Sequence, residues 1–184
     1  SVASTLGKLA MDICLYMSQN FDFISFPNEL TTGSSIMPHK KNPDVFELIR
    51  SKCNKIQSIP NQLSLIMANL PSGYHRDFQV VKEVILPTIQ DMKACLEMMA
   101  FSLKEIRVKT DILEDSKYDY LFSVDTLNEM VKNGVPFRDA YKSMGKAIEN
   151  SSFKPKKNMA HTHEGSIGNL CLEEIRAKME QFFE

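Results

Sequence analysis

Lys40 and Lys41 close a stretch rich in small polar residues, Thr31-Thr32-Gly33-Ser34-Ser35-Ile36-Met37-Pro38-His39-Lys40-Lys41-Asn42. A Gly-Ser-Ser segment is flexible enough to turn its backbone N–H groups towards an anion. Asn42-Pro43 reads as a helix start, with Asn as the cap and Pro as the first helical residue. The helix N-terminus and the two lysines then bring positive potential to one spot, which is the chemistry of a carboxylate or phosphate site. The same residues also suit a solvated basic loop ahead of an ordinary cap, and composition alone does not separate the two.

The other reactive side chains suggest no second centre. Cys14, Cys53, Cys95 and Cys171 lie far apart with no C-x-x-C pair, which argues against zinc and fits buried, reduced thiols in a cytoplasmic protein. His161 and His163 fall in a polar, basic stretch, Lys154 to His163, that reads as exposed loop. With 22 basic and 23 acidic residues the net charge is -1, so no global basic field draws nucleic acid or anionic lipid. Hydrophobic residues at 43% and charged residues at 24% are an ordinary soluble balance, and no apolar run approaches the roughly 18 residues of a membrane span. The expectation is a protein with no cofactor, no metal, no nucleic acid and no membrane partner. Ser1 opens inside an amphipathic pattern with no charged leader, and the chain reads as part of a longer protein.

Helices must position the loop. Gly 7 and Pro 8 in 184 residues fall below the roughly 12% usual for these two types, too little turn chemistry for a many-stranded sandwich or barrel. Val2, Leu6, Leu9, Ile13 and Tyr16 form one apolar stripe with a period near 3.5 on a helix ending around residues 18–20. Phe46, Ile49, Cys53, Ile56, Leu63, Ile66 and Leu70 form a second from Pro43 onward, with Pro60 expected to kink the helix rather than end it. A third runs Ile85, Ile89, Met92, Leu96, Met99, Leu103 and Ile106. The expected fold is all-α, a long-helix bundle over 1–110 with the loop at 27–42, followed by a small helical domain over 111–184. That second domain carries shorter helices over 123–132, 136–150 and 170–183. Leu48, Leu65, Met98 and Phe101 lie off the stripes, so the helices need neighbours that other chains or a remainder of this one would supply, and self-association is expected.

The segment Gly33-Ser34-Ser35-Ile36-Met37-Pro38-His39-Lys40-Lys41-Asn42 matches in full the G-S-S-x-M-P-x-K-x-N signature of the fumarase, aspartase and argininosuccinate lyase superfamily. Seven fixed residues would arise by chance in such a chain about once in ten million. Pro43-Asp44-Val45-Phe46-Glu47-Leu48-Ile49-Arg50 and Leu70-Pro71-Ser72-Gly73-Tyr74-His75-Arg76-Asp77-Phe78-Gln79-Val80-Val81-Lys82 resemble the argininosuccinate lyase branch, and a looser resemblance extends from Ser1 to about Gly145.

That resemblance implies a lyase that cleaves argininosuccinate to arginine and fumarate by anti β-elimination, with Ser34 as the general base and Ser35 as a second claimant that also contacts substrate. Lys40 and Asn42 match the family's carboxylate-binding and charge-stabilising pair, and Glu47 its adjacent network acid. Tyr74, Gln79 and Lys82 align with positions that hold the ends of the substrate. As plain structure, Tyr74 and Gln79 would serve loop packing and capping, and Lys82 would be a solvated lysine at a helix start. The resemblance also implies a cytoplasmic homotetramer whose active sites are shared between subunits, with this chain as the second half of the enzyme and incomplete by itself. Two residues depart from the pattern. Val80-Val81 stands where relatives carry an acidic pair, and His39 occupies a position that is often Gln in argininosuccinate lyases and His in adenylosuccinate lyases, which keeps that substrate as an alternative. A non-catalytic protein of the lens-crystallin type is the alternative outside enzymology.

Overall fold

A computed structural model describes residues 1–33, 35–37, 39–157 and 161–183. The chain divides into two compact units, Ser1–Thr110 and Asp111–Glu184. It is predominantly helical, and the described residues add one pair of two-residue strands. No helix among them is long and apolar enough to cross a membrane.

In the first unit, α1 (Val2–Tyr16) packs along α2 (Asp44–Gln57). The inner face of α1 is Ala3, Leu6, Gly7, Ala10 and Ile13, whereas Val2, Leu9 and Tyr16 of the expected stripe are 54%, 38% and 39% exposed. Small residues win the inner face because the helices approach closely: a Cβ on Gly7 would lie 3.2 Å from that of Cys53. Phe46, fully buried, sits against Phe26 with ring centroids 4.7 Å apart. These residues join Ile49, Cys95 and Met99 in one apolar core.

The helix expected to run through Pro60 is instead two helices. After α2 the chain makes one turn at Ser58 and resumes as α3 (Ile59–Ile66), with Pro60 in the first turn of α3. Proline has no N–H to donate and crowds the preceding turn, so the break falls just ahead of it. A short 3-10 turn, Arg76–Gln79, leads into α4 (Val80–Leu103), which packs on both α2 and α3. Cys95, Met99 and Ser102 are its buried residues. Ile89, Leu96 and Leu103 of the expected stripe are 56%, 44% and 37% exposed, alongside Leu86, Met98 and Phe101. The strand pair, β1 (Ile24–Ser25) antiparallel to β2 (Arg107–Val108), ties the segment after α1 to the segment after α4. The Asp22–Lys109 ion pair at 3.0 Å flanks it.

In the second unit α5 (Ser123–Lys132) and α6 (Phe137–Glu149) pack together, with Phe122, Leu127, Ala140 and Met144 buried. Pro136 stands just before α6 and preorganises its entry. Helix α7 (Leu172–Glu180) follows. The described part of the basic stretch is loop and largely exposed, as expected, and is anchored by side-chain contacts: Lys156 to Glu129 at 2.9 Å, Lys157 to Asp119 at 3.2 Å, and His161 to Asp125 at 3.2 Å. Asn158, Met159 and Ala160 of that stretch lie outside the described residues.

Candidate functional site

The polar loop leaves and re-enters the bundle at one point. Thr32 and Asn42 form an isolated antiparallel bridge, Thr32 N–H donating to the Asn42 carbonyl at 3.2 Å and Asn42 N–H to the Thr32 carbonyl at 2.8 Å. The Asn42 side-chain amide donates to the Gly33 carbonyl at 3.4 Å. Asn42 is therefore part of the loop closure and not the helix cap the sequence suggested. Pro43 takes the cap position, and its carbonyl accepts from the N–H groups of Phe46 and Glu47 at 2.9 and 3.0 Å. A proline has no side-chain acceptor, so the helix start relies on this carbonyl and on the acidic residues Asp44 and Glu47 in its first turn. The hydroxyl of Thr32 donates to the Asp44 carboxylate. Neither Thr32 nor Asp44 was singled out from sequence. Two residues twelve apart, one in a loop and one in a helix, leave no local pattern to read.

Beside this closure lies a cavity of about 710 Å³ lined by Cys14, Ser25, Lys40, Asn42, Pro43 and Glu47 among others. Three of the expected site residues, Lys40, Asn42 and Glu47, thus share one cleft. Lys40 and Glu47 are exposed and Asn42 is half-buried. The cleft has mixed charge, Lys40 and Lys41 with Glu47, because the first turn of the helix carries a carboxylate into it. Ser35 is exposed, and Ser34 lies outside the described residues. Burial, opposed by Arg50 and reinforced by Glu47, pushes the Cys14 thiol up from its ordinary range. A thiol raised in this way stays protonated at neutral pH and is no nucleophile.

Tyr74, Gln79 and Lys82 form a second cluster, a chain of hydrogen bonds at the start of α4. Lys82 Nζ donates to Gln79 Oε1 at 2.7 Å, and Gln79 Nε2 donates to Tyr74 Oη at 2.6 Å. An ammonium has no acceptor, so Lys82 compels the Gln79 amide to offer its oxygen on that side and its N–H on the other. The Tyr74 ring stacks on Phe78, centroids 5.6 Å apart, and the tyrosine is 71% exposed.

The two clusters stand at opposite ends of α2 and α4. Lys52 and Lys55 reach Asp91 at 3.0 and 3.3 Å, while Leu48 and Ile49 line a small cavity with Ala94, Cys95 and Met98. Such pairing makes the helices antiparallel. Measured from this contact at 1.5 Å per residue, Asp44 lies one way and Lys82 the other, which separates them by roughly 25 Å along the helix axes. A small dicarboxylate cannot touch both clusters of one chain. No group of three or more His, Cys, Asp or Glu residues suited to a metal occurs among the described residues.

Residues 1–58 match the family described as Lyase. An argininosuccinate lyase of Bacteroides thetaiotaomicron is 56% identical over 181 residues, 98% of this chain and 41% of the relative. That of Parabacteroides distasonis is 58% identical over 178 residues, 97% of this chain and 40% of the relative. This chain closely matches the argininosuccinate lyases over nearly its whole length. It spans about two fifths of the length of these relatives. The match persists at distance, with the argininosuccinate lyase of Aquifex aeolicus 36% identical over 183 residues. Among solved structures, EDDS lyase in complex with formate has a TM-score of 0.66 at 20% identity, covering 81% of this chain and 31% of that one. The 3-carboxy-cis,cis-muconate lactonizing enzyme from Pseudomonas putida has a TM-score of 0.65 at 16% identity, covering 82% and 33%. At those identities the likeness is one of fold.

Proposed function

We propose that this chain is part of a lyase that cleaves argininosuccinate to arginine and fumarate. The observation that carries the reading is the close match to argininosuccinate lyases along 98% of the chain, signature segment included. The reaction takes a weakly acidic proton from the carbon beside a carboxylate and expels the guanidinium from the neighbouring carbon. The negative charge that develops on the carboxylate must be held in a place from which water is excluded. Lys40 and the Asn42 amide supply a cation and an N–H donor at one edge of the cleft, and Glu47 faces the same space. Ser34 acts as the base, and a serine hydroxyl serves that role only where cations and N–H donors favour its alkoxide and water is excluded. Tyr74, Gln79 and Lys82 hold the ends of the substrate. Because they lie far from Lys40 along the bundle, the site is completed by a second copy of the chain in a cytoplasmic homotetramer, with no metal or cofactor.

Fumarate release, followed by its ultraviolet absorbance in the full-length protein, tests the reading. Argininosuccinate is the expected substrate, and Ser34→Ala lowers its turnover at least about a hundredfold, the scale of a lost general base. Turnover near wild type rejects Ser34 as the base. His39 favours one comparison, adenylosuccinate: preferential turnover of that compound moves the protein to the other branch. Release of fumarate from neither replaces the lyase reading with the non-catalytic one.

A further inference from the structure

We propose that Thr32 and Asp44 are positioning residues that pin the signature loop to the start of α2. The loop from 33 to 41 has both ends at one place, and among the described residues two backbone hydrogen bonds between Thr32 and Asn42 and a longer one from the Asn42 side-chain amide to the Gly33 carbonyl hold them together. Thr32 and Gly33 are exposed and Asn42 is half-buried, so water competes for those bonds, leaving little net stabilisation apiece. The Thr32 hydroxyl adds a bond of a different kind. It donates to a carboxylate, Asp44 Oδ2, that belongs to the helix and not to the loop. A charge-assisted bond is about twice as strong as a neutral one.

Asp44 is spared for this task because it does no capping. It stands in the first turn of α2, where the Pro43 carbonyl accepts from the N–H groups of Phe46 and Glu47 and no side-chain cap bond forms. The helix is rigid and tied into the core through Phe46 and Ile49, so whatever bonds to Asp44 inherits that rigidity. Lys40 is two residues ahead of the bridge and Asn42 is in it, and the turn from Met37 to Lys40 (Lys40 N–H to Met37 carbonyl, 3.0 Å) hangs from the same point. Releasing Thr32 from Asp44 leaves the bridge free to swing relative to the helix and carries both groups off their places. Displacements near an ångström are enough to slow an oriented reaction substantially.

The proposal rests on the reading that Lys40 and Asn42 hold a substrate carboxylate, so its test has one arm that needs no turnover. In the full-length protein, Thr32→Val should raise the hydrogen-exchange rates of the amides in 32–42 about tenfold, with the melting temperature unchanged. The same variant should lower kcat/KM about tenfold, and Thr32→Ser, which restores the hydroxyl, should return it to within about twofold of wild type. In an Asp44→Ala background Thr32→Val should add almost nothing, because the partner is already gone. Unchanged exchange in Thr32→Val, equal losses in the Val and Ser variants, or additive losses in the double variant each overturn the proposal. Exchange that responds in a protein with no lyase turnover keeps the latch and removes the reaction from the reading.

Discussion

Asp91 lies between two ammonium groups and ties α4 to α2 through charge. Hydrogen bonding to Lys52, then to Lys55, holds its carboxyl below the ordinary carboxylate range, and the bond to Asp91 raises Lys52 above the ordinary ammonium range. The sign follows for each group. A lowered acid stabilises the fold above its unfolded value near about 3.9 and loses that stability as pH falls through the folded value. A raised base stabilises below its unfolded value near about 10.4 and loses that stability as pH rises through the folded one. Asp91→Asn is therefore expected to lower the melting temperature modestly across the neutral range and to converge with wild type as pH falls through the lowered carboxyl value, below the ordinary carboxylate range. A melting series against pH checks it, and a constant offset at every pH would mean that packing, and not charge, is the tie. At this scale the candidate site was half legible. Lys40, Asn42 and Glu47 carry a signature in contiguous sequence and share one cleft. Thr32 and Asp44 carry none, because a side-chain bond across twelve residues depends on how the loop folds back.

Helix α4 buries a hydroxyl with no hydrogen-bond partner, Ser102 Oγ, in a position that is fully buried. A hydroxyl taken out of water without a partner costs free energy, and alanine removes it while leaving a void no larger than one oxygen atom. Ser102→Ala is expected to raise stability by about 1 kcal/mol, read as a higher denaturant midpoint at unchanged slope. A loss of stability would reveal a bond that the hydroxyl makes in solution. The same residue explains why the helix faces were only partly readable. Apolar spacing finds a helix, as it did for α1, α2 and α4, but it ranks faces by hydrophobicity. The closest packing instead selects Ala3, Gly7, Ala10, Cys95 and Ser102, small side chains that let backbones approach. Leu9, Ile89 and Leu96, larger and more apolar, were left outward. The break at Ser58 was missed for a different reason: the apolar register continues across it, and periodicity carries no record of a single turn.

Across the first unit, the antiparallel pairing of α2 with α4 decides what one chain can do. It holds Lys40 and Asn42 at one end and Tyr74, Gln79 and Lys82 at the other, roughly 25 Å apart along the axes. The outward face of α4 exposes Leu86, Ile89, Leu96 and Phe101 around the Lys93–Glu97 pair, more large apolar side chains than a helix facing only water carries. If sites are assembled between copies, a defect at either end is confined to the sites that use that copy's end. A full-length Ser34→Ala protein and a full-length Lys82→Met protein, each inactive alone, are then expected to regain part of their turnover when unfolded together and refolded as a mixture, because some mixed sites draw both ends from intact segments. Refolding each variant separately and mixing afterwards gives the baseline. Mixtures that stay at that baseline, although the copies have exchanged, would mean that one chain supplies both ends of its own site. The antiparallel arrangement of α2 and α4 would then have to be abandoned along with the shared site.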